Sequence, residues 1–589
     1  MEFIAHNLAP IMFAGLICFL LVGFPVAFSL GACGLFFAFI GIEMNVLPEA
    51  LLQALPLRIY GIMQNDTLLA IPFFTLMGLI LERSGMAEDL LDTIGQLFGP
   101  IRGGLALAVI FVGALLAATT GVVAASVISM GLISLPIMLR YGYDRRLAAG
   151  VIAASGTLAQ IIPPSLVLII IADQLGRSVG DMYKGAFLPG LMLTGFYALY
   201  VILLAVIKPQ WVPALPPEAR TLREDNGKSG VPSLLVLTAI CTAASIYVAK
   251  NMPALHTWWS GEAVDKVALD ETIVVSMCFG VALAFVAASF NKITRLGLLS
   301  RAAERVTFAL IPPLLLIFLV LGTIFLGVAT PTEGGAMGAL GAIIMAVIRG
   351  RLSMSLLKQA LNTTTKLSCF VVFILVGATI FGLTFQGVDG PLWVEHLLSG
   401  LPGGQLGFLI VVNIMVFFLA FFLDFFELSF IVVPLLAPVA DKLGIDLIWF
   451  GVLLAINMQT SFMHPPFGFA LFYLRSVAPA KEYMDKVTKK MIAPVTTTQI
   501  YWGAIPFLCI QILMVALVIT FPGIVSSGLD KAEVYDLDKV RLEMEANMPA
   551  PMEQADPTAG MPGSEAPAAE DDPLKAMQES LSQDAEKKN

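Results

Sequence analysis

The sequence predicts an all-α polytopic membrane protein with about 11 membrane-spanning helices and two re-entrant hairpins, arranged as two inverted repeats. Three observations predict this fold. The 589 residues are 58% hydrophobic and only 13% charged. Apolar runs long enough to cross a bilayer recur along the whole chain, and Pro and Gly motifs repeat at a constant separation of 302 residues. A soluble protein of this composition would expose apolar patches larger than monomers tolerate, so lipid is the simpler solvent.

The apolar runs set the predicted crossings, because a helix needs about 20 apolar residues to span hydrocarbon. The first run follows Glu2 and His6 and is longer than the apolar region of a signal peptide, so no cleavable signal is expected. The predicted spans are 11–41, 67–82, 146–172, 187–208, 232–249, 271–289, 307–328, 334–349, 363–386, 446–475 and 503–526.

Two further stretches, 101–139 and 406–440, are apolar but interrupted. Lys and Arg concentrate in the loops on the side of the N-terminus only if each stretch enters and leaves the membrane on the same side. On the opposite side, the loop 387–405 contains no Lys or Arg. We therefore expect two re-entrant hairpins, a cytoplasmic N-terminus and a C-terminal tail on the other side.

The domain organisation follows from these spans. Residues 1–208 form the first repeat and residues 307–527 the second. Residues 209–306 are a linker with two extra membrane helices. Residues 528–589 are an acidic tail rich in Pro, Ala, Glu and Asp, and we expect this tail to be disordered.

The repeat is most visible around two proline pairs. Pro163-Pro164 and Pro465-Pro466 are separated by the same 302 residues as Pro136 and Pro438. The distribution of basic residues has 146–172 running outward and 446–475 running inward, so the halves are inverted. Inverted repeats with broken helices are how many secondary transporters build a midplane binding site. The sequence therefore predicts transport of a small solute.

Hydroxyl and amide side chains precede each proline pair. Consecutive prolines remove backbone donors, and non-helical backbone at membrane depth persists only against protein or a polar cavity. A bound cation would suit the freed oxygens, whereas the simpler alternative is a kink in which Ser or Thr bonds its own helix. Because the feature occurs twice, we favour coordination of an ion or substrate. The residues are Ser155, Thr157 and Gln160 in the first half, and Asn457, Gln459, Thr460 and Ser461 in the second.

Acidic residues and one histidine are further candidates. Asp424 and Glu427 lie at the predicted tip of the second hairpin, where a carboxylate is either functional or simply solvated. Glu333 follows Pro331 and would either contact an ion or substrate or complement the dipole of a helix N-terminus. His464 would relay protons or serve as a hydrogen-bonded structural histidine.

These motifs resemble the large membrane subunit of the tripartite ATP-independent periplasmic (TRAP) transporters, the DctM type, from about Pro25 to Pro522. The resemblance implies an elevator-type carrier of the ion-transporter superfamily, in which the hairpins and broken helices form a mobile domain. The segments that carry it are Ile71-Pro72-Phe73-Phe74 with Gly78, Arg102-Gly103-Gly104, Gly142-Tyr143-Asp144, Ile161-Ile162-Pro163-Pro164-Ser165, Thr330-Pro331-Thr332-Glu333, Asp424 and Pro465-Pro466-Phe467-Gly468.

The resemblance also implies partners and a location. It implies a multi-pass protein of the bacterial inner membrane, with the acidic tail in the periplasm. It implies a small four-helix membrane subunit, a periplasmic solute-binding protein and import of an organic acid driven by Na⁺. No cofactor other than the coupling ion and no nucleic-acid partner are expected.

Two sets of Na⁺ ligands are carried over from the family, and a third set of polar residues is expected to contact substrate. The first hairpin and first break would hold one Na⁺, through Thr120, Gly121, Ser155, the carbonyl of Leu158, and Gln160. The second Na⁺ site would comprise Asp424, Ser429, Thr460 and Ser461. Substrate would contact Thr157, Asn457, Gln459 and Glu333.

The sequence departs from the family pattern at three of these places. Val122 stands where a serine is common, Gln160 where a proline is common, and His464 where a threonine is common. These departures keep H⁺ as an alternative coupling ion.

Three alternative functions remain at this level. A standalone carboxylate or oxyanion carrier of the same superfamily would need no binding protein. An intramembrane enzyme is disfavoured, since the sequence has no Walker A loop, paired zinc-ligand histidines or aspartate-rich diphosphate motif. A channel is disfavoured because paired helix breaks suit alternating access.

Overall fold

The computed structural model describes residues 7–529, apart from 121–122, 223, 225–229, 262–266, 268, 296, 486 and 528. The expected disorder of the acidic tail concerns residues outside this described part, except for Leu529. The described residues belong to one compact unit, and nearly all of them are helical or connect helices.

The first half of the chain contains helices α1 to α10. Short 3₁₀ turns precede α3 and α4, and another follows α8. The helices are α1 (Leu8–Leu21), α2 (Val26–Glu43), α3 (Leu55–Met63), α4 (Ala70–Arg83), α5 (Met86–Phe98), α6 (Gly104–Thr120), α7 (Val123–Arg140), α8 (Arg145–Thr157), α9 (Leu166–Leu175) and α10 (Val179–Ile207).

The linker contributes α11 (Val231–Lys250), α12 (Met252–Ser260) and α13 (Leu269–Thr294). Helices α11 and α13 pack closely where Gly280 faces Ser245, since a Cβ at Gly280 would lie 2.1 Å from the Ser245 hydroxyl oxygen. Two long apolar helices therefore occur where the sequence predicted two extra crossings.

The second half contains helices α14 to α24 and a two-stranded antiparallel hairpin. A π-helical turn, Leu428–Val432, joins α19 to α20. The helices are α14 (Arg301–Phe325), α15 (Pro331–Ile348), α16 (Met354–Gly387), α17 (Gly390–Ser399), α18 (Gly404–Leu419), α19 (Phe425–Glu427), α20 (Val433–Lys442), α21 (Leu447–Met458), α22 (Phe469–Val477), α23 (Thr497–Thr520) and α24 (Gly523–Ser526), and the strands are β1 (Tyr483–Met484) and β2 (Met491–Ile492).

The helices confirm a multi-pass membrane protein. Within the described residues, nine helices are long and apolar enough to cross a bilayer, or up to 11 if two bent pairs each count as one span. The bent pairs are Glu49–Met63 with Asp66–Arg83 at 47°, and Gly390–Ser399 with Gly404–Leu419 at 116°. This range includes the number of crossings that the apolar runs predicted.

The run 11–41 forms two helices rather than the single predicted span. The chain turns at Gly23, whose φ of 88° suits glycine, and α2 begins after Pro25. Helices α1 and α2 then pack side by side, with the Cys33 thiol 3.6 Å from the Met12 carbonyl oxygen. The prediction missed this turn because hydropathy stays high across it.

Corresponding elements recur in the two halves. The second leg of the first hairpin, α7, begins 302 positions before α19, and α8 begins 302 positions before α21. Each of α8 and α21 ends in a 3₁₀ turn, followed by a proline pair and a further helix, as the proline motifs predicted. The order of hairpin, broken helix and long helix is therefore the same in both halves.

The broken helices lie in the interior of the protein. Every residue from 147 to 172 is buried, and so is every residue from 450 to 464. Backbone groups freed by a break need shielding from lipid, because an unpaired peptide group in hydrocarbon costs several kcal/mol. The surrounding helices provide this shielding.

Glycine permits a close contact between α8 and α23. A Cβ on Gly150 of α8 would lie 2.0 Å from the carbonyl oxygen of Gly503 on α23. A Cβ on Gly503 would lie 2.0 Å from the carbonyl oxygen of Arg146. The two helices thus meet backbone to backbone, which only glycine permits.

A polar contact joins the two halves outside the apolar spans. Asp485, which follows β1, accepts a 2.9 Å hydrogen bond from Arg140 Nε at the end of α7. Its other carboxylate oxygen accepts from the Thr488 backbone N–H and hydroxyl. Burial raises the pKa of Asp485, but the hydrogen bonds from Thr488 and Arg140 outweigh it and lower the pKa to about 2. Asp485 is therefore ionised at neutral pH.

Candidate functional site

The two helix breaks have the same construction. Helix α8 ends at Thr157, and a 3₁₀ turn, Leu158–Gln160, leads to Pro163-Pro164 before α9 begins. Helix α21 ends at Met458, and a 3₁₀ turn, Gln459–Phe462, leads to Pro465-Pro466 before α22 begins. Both proline pairs contain a cis peptide bond. Each break interrupts the helical hydrogen-bond ladder where the polar side chains cluster.

The breaks meet through one side-chain contact. Gln459 Nε2 donates to Thr157 Oγ1 at 3.2 Å, and the two residues are 302 positions apart. The Thr157 hydroxyl in turn donates to the Ala154 carbonyl oxygen at 2.8 Å. Both side chains are completely buried. Two predicted substrate residues therefore lie together, bonded to each other across the repeat.

A second buried polar pair joins the two halves. Gln511 on α23 donates from Nε2 to the Tyr197 hydroxyl on α10 at 3.0 Å. Sequence reasoning missed both residues. The available signal was Gln511 itself, since an amide inside an apolar run needs a partner in the interior.

Four buried oxygens at the breaks have no hydrogen-bond partner within the described part of the chain. Two belong to the first break and two to the second, and all four residues were predicted to bind an ion or substrate. A buried polar oxygen without a partner is destabilising, so each such group needs an explanation. Na⁺, a hard cation, binds oxygen ligands, so this donor set fits it. The atoms are Ser155 Oγ, Gln160 Oε1, Gln459 Oε1 and Ser461 Oγ.

Each hairpin packs directly on the break of its own half. In the first half, a Cβ on Gly113 of α6 would lie 2.6 Å from Ser155 Cβ, and one on Gly156 would lie 2.3 Å from Val127 of α7. In the second half, Asn457 Nδ2 donates to Asn413 of α18, to its carbonyl oxygen at 2.7 Å and its Oδ1 at 2.9 Å. Hairpin and break are therefore in contact in both halves.

A cavity of about 340 Å³ lies between these elements. Its polar lining comprises Gln160 from the first break, Asp424 and Glu427 from the second hairpin, and Tyr473 from α22. No Lys or Arg is among the described residues that line it. The remaining lining residues are apolar and mostly aromatic: Val123, Ala124, Leu166, Leu367, Phe370, Phe425, Phe426, Phe462 and Phe469.

Asp424 and Glu427 form a capping box at the second hairpin. The Asp424 carboxylate accepts from the Glu427 backbone N–H at 3.0 Å, and the Glu427 carboxylate accepts from the Asp424 backbone N–H at 2.9 Å. The pair thus satisfies backbone donors at a helix start while both side chains line the cavity. The first hairpin has Ala125 302 positions before Glu427, so this acid pair is confined to the second half.

The other predicted Na⁺ ligands differ in their surroundings. Gly121 lies outside the described residues, and Thr120 ends α6 without a described side chain. The Leu158 carbonyl oxygen already accepts from the Ile161 and Ile162 backbone N–H groups, at 3.1 and 3.0 Å. Thr460 donates to the Asn457 carbonyl oxygen at 2.6 Å, as in the simple kink. The Ser429 hydroxyl lies 3.6 Å from Met458 Sδ.

Glu333 lies at the exposed start of α15. Its carboxylate accepts from the Thr330 backbone N–H at 2.8 Å and the Thr330 hydroxyl at 3.0 Å. This is a second capping box. It agrees with the alternative in which Glu333 stabilises a helix N-terminus rather than contacting an ion or substrate. Glu333 is not among the residues that line the cavity.

His464 is completely buried beside the second proline pair. Its ring lies between two phenylalanines of the α18 region, with centroids 4.3 Å from Phe417 and 4.2 Å from Phe421. The nearest groups are thus aromatic rings rather than other titratable side chains.

Comparison with known proteins adds an independent line of information. Residues 13–264 and 267–524 match the family described as "Tripartite ATP-independent periplasmic transporter, DctM component". The C4-dicarboxylate TRAP transporter large permease protein DctM of Rhodobacter capsulatus is 27% identical over 79% of this chain and 89% of its own length. The isethionate TRAP transporter permease protein DctMQ of Oleidesulfovibrio alaskensis is 26% identical over 82% of this chain and 63% of its own length.

Two further similarities complete the comparison. The sialic acid TRAP transporter permease protein SiaT of Haemophilus influenzae is 23% identical over 86% of this chain and 65% of its own length. Among solved structures, the YdaH transporter of Alcanivorax borkumensis aligns with a TM-score of 0.45 at 14% identity, covering 80% of this chain and 88% of YdaH.

Proposed function

We propose, because the chain belongs to the DctM component family of the tripartite ATP-independent periplasmic transporters, that it is the permease of a sodium-driven importer for a small organic acid. The chain is a large permease subunit, and its multi-pass helical fold agrees with that role.

The substrate class is supported by the named relatives. Their names refer to C4-dicarboxylates, isethionate and sialic acid, which all carry an acidic group. We place the substrate in the cavity between the hairpins, which is large enough for a small organic acid. None of the four residues predicted to contact substrate lines this cavity. Glu333 caps a helix, Asn457 bonds Asn413, and Thr157 and Gln459 bond each other.

Sodium coupling is supported by the oxygens of the two breaks and by the charge of the cavity, which Gln160 of the first break lines. Ser155 and Gln160 at one break, and Gln459 and Ser461 at the other, offer oxygens without partners. The cavity also contains two carboxyl groups and no described cationic side chain. An organic anion would be repelled there unless a bound cation supplied positive charge. Na⁺ at the breaks would bind the unpartnered oxygens and would also supply the positive charge that an organic anion needs.

The two inverted repeats are supported by the contact between Thr157 and Gln459. A two-fold axis carries each residue onto the residue 302 positions away, so two such residues touch only close to the axis. The contact therefore marks the place where a pseudo-two-fold axis would pass. We infer a transport domain built from both hairpins and both broken helices, centred on this point.

An elevator motion is supported by a separate pair of closely packed helices. A Cβ on Gly377 of α16 would lie 2.4 Å from the Ala27 carbonyl oxygen of α2, so these helices touch backbone to backbone. Leu367 and Phe370 of α16 form one wall of the cavity, facing the second hairpin. We propose that α2 and α16 belong to a static scaffold against which the transport domain slides.

The partners and location follow from the family. We propose a small membrane subunit and a periplasmic binding protein, in the inner membrane of a bacterium with the N-terminus in the cytoplasm. The name of the isethionate relative, DctMQ, agrees with a second subunit type. A carrier that works without a binding protein is the alternative.

The unpartnered Ser155 hydroxyl is the observation that best supports Na⁺ coupling, and it supplies the test. Uptake of radiolabelled organic acids would be measured in proteoliposomes, with the small subunit and binding protein present, with and without an inward Na⁺ gradient. In Ser155→Ala we expect the Na⁺ concentration for half-maximal uptake to rise about tenfold or more, since a contact to a charge is worth roughly 1.5–3 kcal/mol.

The matched control is Ser29→Ala. Ser29 is similarly buried, but its hydroxyl bonds the carbonyl oxygen of Pro25, the residue that precedes α2. Its Na⁺ dependence should match that of the unmodified protein. Uptake that is independent of Na⁺ and driven by an inward proton gradient would identify H⁺ as the coupling ion. Asp424 and Glu427 would then be the groups that carry the proton. Uptake without the binding protein would favour the standalone carrier.

A further inference from the structure

We propose that a cleft at the charged ends of α13, α14 and α15 binds the phosphate group of an anionic phospholipid. The cleft has a volume of about 480 Å³ and is separate from the transport cavity. Five cationic side chains line it, against two carboxylates, those of Asp89 and Glu304. The cationic residues are Lys292, Arg301, Arg305, Arg349 and Arg351.

The carboxylates do not neutralise the cleft. The single carboxylate of Asp89 forms ion pairs with two guanidinium groups, those of Arg349 and Arg351, each at 3.1 Å. Glu304 accepts a hydrogen bond from the neutral amide of Asn291, so its charge still opposes the cations. Two carboxylates outside the lining are also close, since Asp92 pairs with Arg305 and Glu224 accepts from the Arg301 backbone N–H. The five cations still outnumber these four carboxylates, which suits a phosphate group.

Lys292 adds a cation without a carboxylate of its own. Its ammonium nitrogen lies 4.8 Å from the centre of the Phe308 ring, and no ion pair joins it to a carboxylate within the described residues. It is the last-turn lysine of α13, placed where that helix leaves the membrane. A cation held over an aromatic ring at the edge of a cleft is available to a phosphate oxygen.

The cleft is held rigidly by a backbone feature of α14. Pro312 has no N–H, so the Phe308 carbonyl oxygen lacks its helical donor. Arg349 Nη2 donates to that oxygen at 3.0 Å, while its Nη1 contacts Asp89. Arg349, at the end of α15, thus connects α14 and α5. The other cations lie on or next to helices of this cleft.

An apolar stripe on the same face of α14 favours a lipid over a soluble phosphate compound. Arg301, Arg305, Phe308, Leu315 and Leu319 recur at helical spacing on this face. Leu315 is 58% exposed and Leu319 is 42% exposed. From Phe308 to Leu319 the helix rises about 16 Å, close to half of a bilayer's hydrocarbon thickness. A phospholipid can therefore place its phosphate in the cleft and an acyl chain along the stripe.

The test compares lipids on the purified full-length chain. Dioleoylphosphatidylglycerol would be titrated into the detergent-solubilised protein, with dioleoylphosphatidylcholine as the neutral-headgroup lipid. Native mass spectrometry counts bound lipids, and thermal unfolding reports stabilisation. We expect saturable binding of phosphatidylglycerol and a rise in the unfolding temperature that phosphatidylcholine does not produce.

The variant Lys292→Gln with Arg301→Gln should weaken phosphatidylglycerol binding about tenfold or more, because each basic side chain near a membrane surface contributes measurably to anionic lipid binding. Lys358→Gln with Lys481→Gln is the matched control: it removes two exposed lysines outside the cleft and should bind like the unmodified chain. Unfolding without lipid verifies that both variants fold.

Two outcomes would overturn the proposal. Equal weakening in the cleft variant and the control would mean that binding reflects general surface charge. An equal shift from inorganic phosphate or glycerol 3-phosphate, at concentrations similar to those of the lipid, would assign the cleft to a soluble phosphate compound instead.

Discussion

Thr157 shows how much one buried hydroxyl can connect. Its hydroxyl donates to the Ala154 carbonyl oxygen and accepts from the Gln459 amide. The first broken helix and the second break are joined at this single atom. No water replaces a lost hydrogen bond in this interior. Removing the hydroxyl would therefore leave its buried partners unpaired, and an unpaired buried polar group destabilises the fold.

The variant Thr157→Val should therefore destabilise the protein more than the loss of one hydrogen bond would. We expect a decrease in unfolding free energy of about 1–3 kcal/mol, since the buried Gln459 amide loses its partner. Thermal unfolding in detergent measures it. Thr93→Val is the control: Thr93 is also buried, yet its hydroxyl bonds only the Asp89 carbonyl oxygen of its own helix. Equal effects in the two variants would contradict this role of Thr157.

At the scale of elements, glycine sets how closely α8 and α23 approach. Gly150 and Gly503 face each other's backbone, and carbonyl oxygens cannot move aside as a flexible side chain can. The first broken helix is therefore fixed to the last long helix of the second half. Its interior position depends on this contact as much as on apolar burial.

Replacement of Gly150 by alanine should separate these helices. We expect a loss of about 3 kcal/mol or more in unfolding free energy, at the upper end of overpacking effects, and reduced transport. Gly195→Ala on α10 is the control, since nothing lies within 4 Å of a Cβ there. This change should be neutral or stabilising by up to about 1 kcal/mol. Similar losses in both variants would refute the contact.

Elements with a local cause could be predicted from the sequence, and contacts between distant segments could not. The proline pairs break their helices by removing donors, so the sequence alone located both breaks. The turn at Gly23 was missed because its surroundings are apolar. The bond from Asn457 to Asn413 joins residues of two different elements, and nothing in either segment identifies the other. The same limit applies to Tyr197 and Gln511.

At the scale of the whole molecule, the proposed motion places an interface between α16 and the second hairpin. Phe370 of α16 and Phe426 of α19 touch there, with ring centroids 6.0 Å apart. Phe408 of α18 and Phe450 of α21 are 5.9 Å apart, but both belong to the proposed transport domain. The two pairs are about equally close, but Phe408 and Phe450 are completely buried whereas Phe370 is 47% exposed.

The proposed motion can be tested by cross-linking. The six native cysteines would first be replaced. A short bifunctional thiol reagent on Phe370→Cys with Phe426→Cys should then abolish most uptake, because it locks the scaffold to the hairpin. The same reagent on Phe408→Cys with Phe450→Cys should leave uptake near that of the untreated variant. Because the two pairs differ in exposure, mass spectrometry must verify that the cross-link forms in both variants. Full uptake in the first cross-linked variant would exclude sliding at this interface.

The bond between Thr157 and Gln459 also constrains how the protein is made. It joins residues 302 positions apart, so a ribosome working at roughly 5–20 residues per second needs about 15–60 s to supply the second partner after the first. During that interval, Thr157 and Tyr197 have already been synthesised while both glutamines that bond them are missing. The nascent first half must therefore wait with an incomplete polar centre, and insertion and quality control in the cell act on that intermediate.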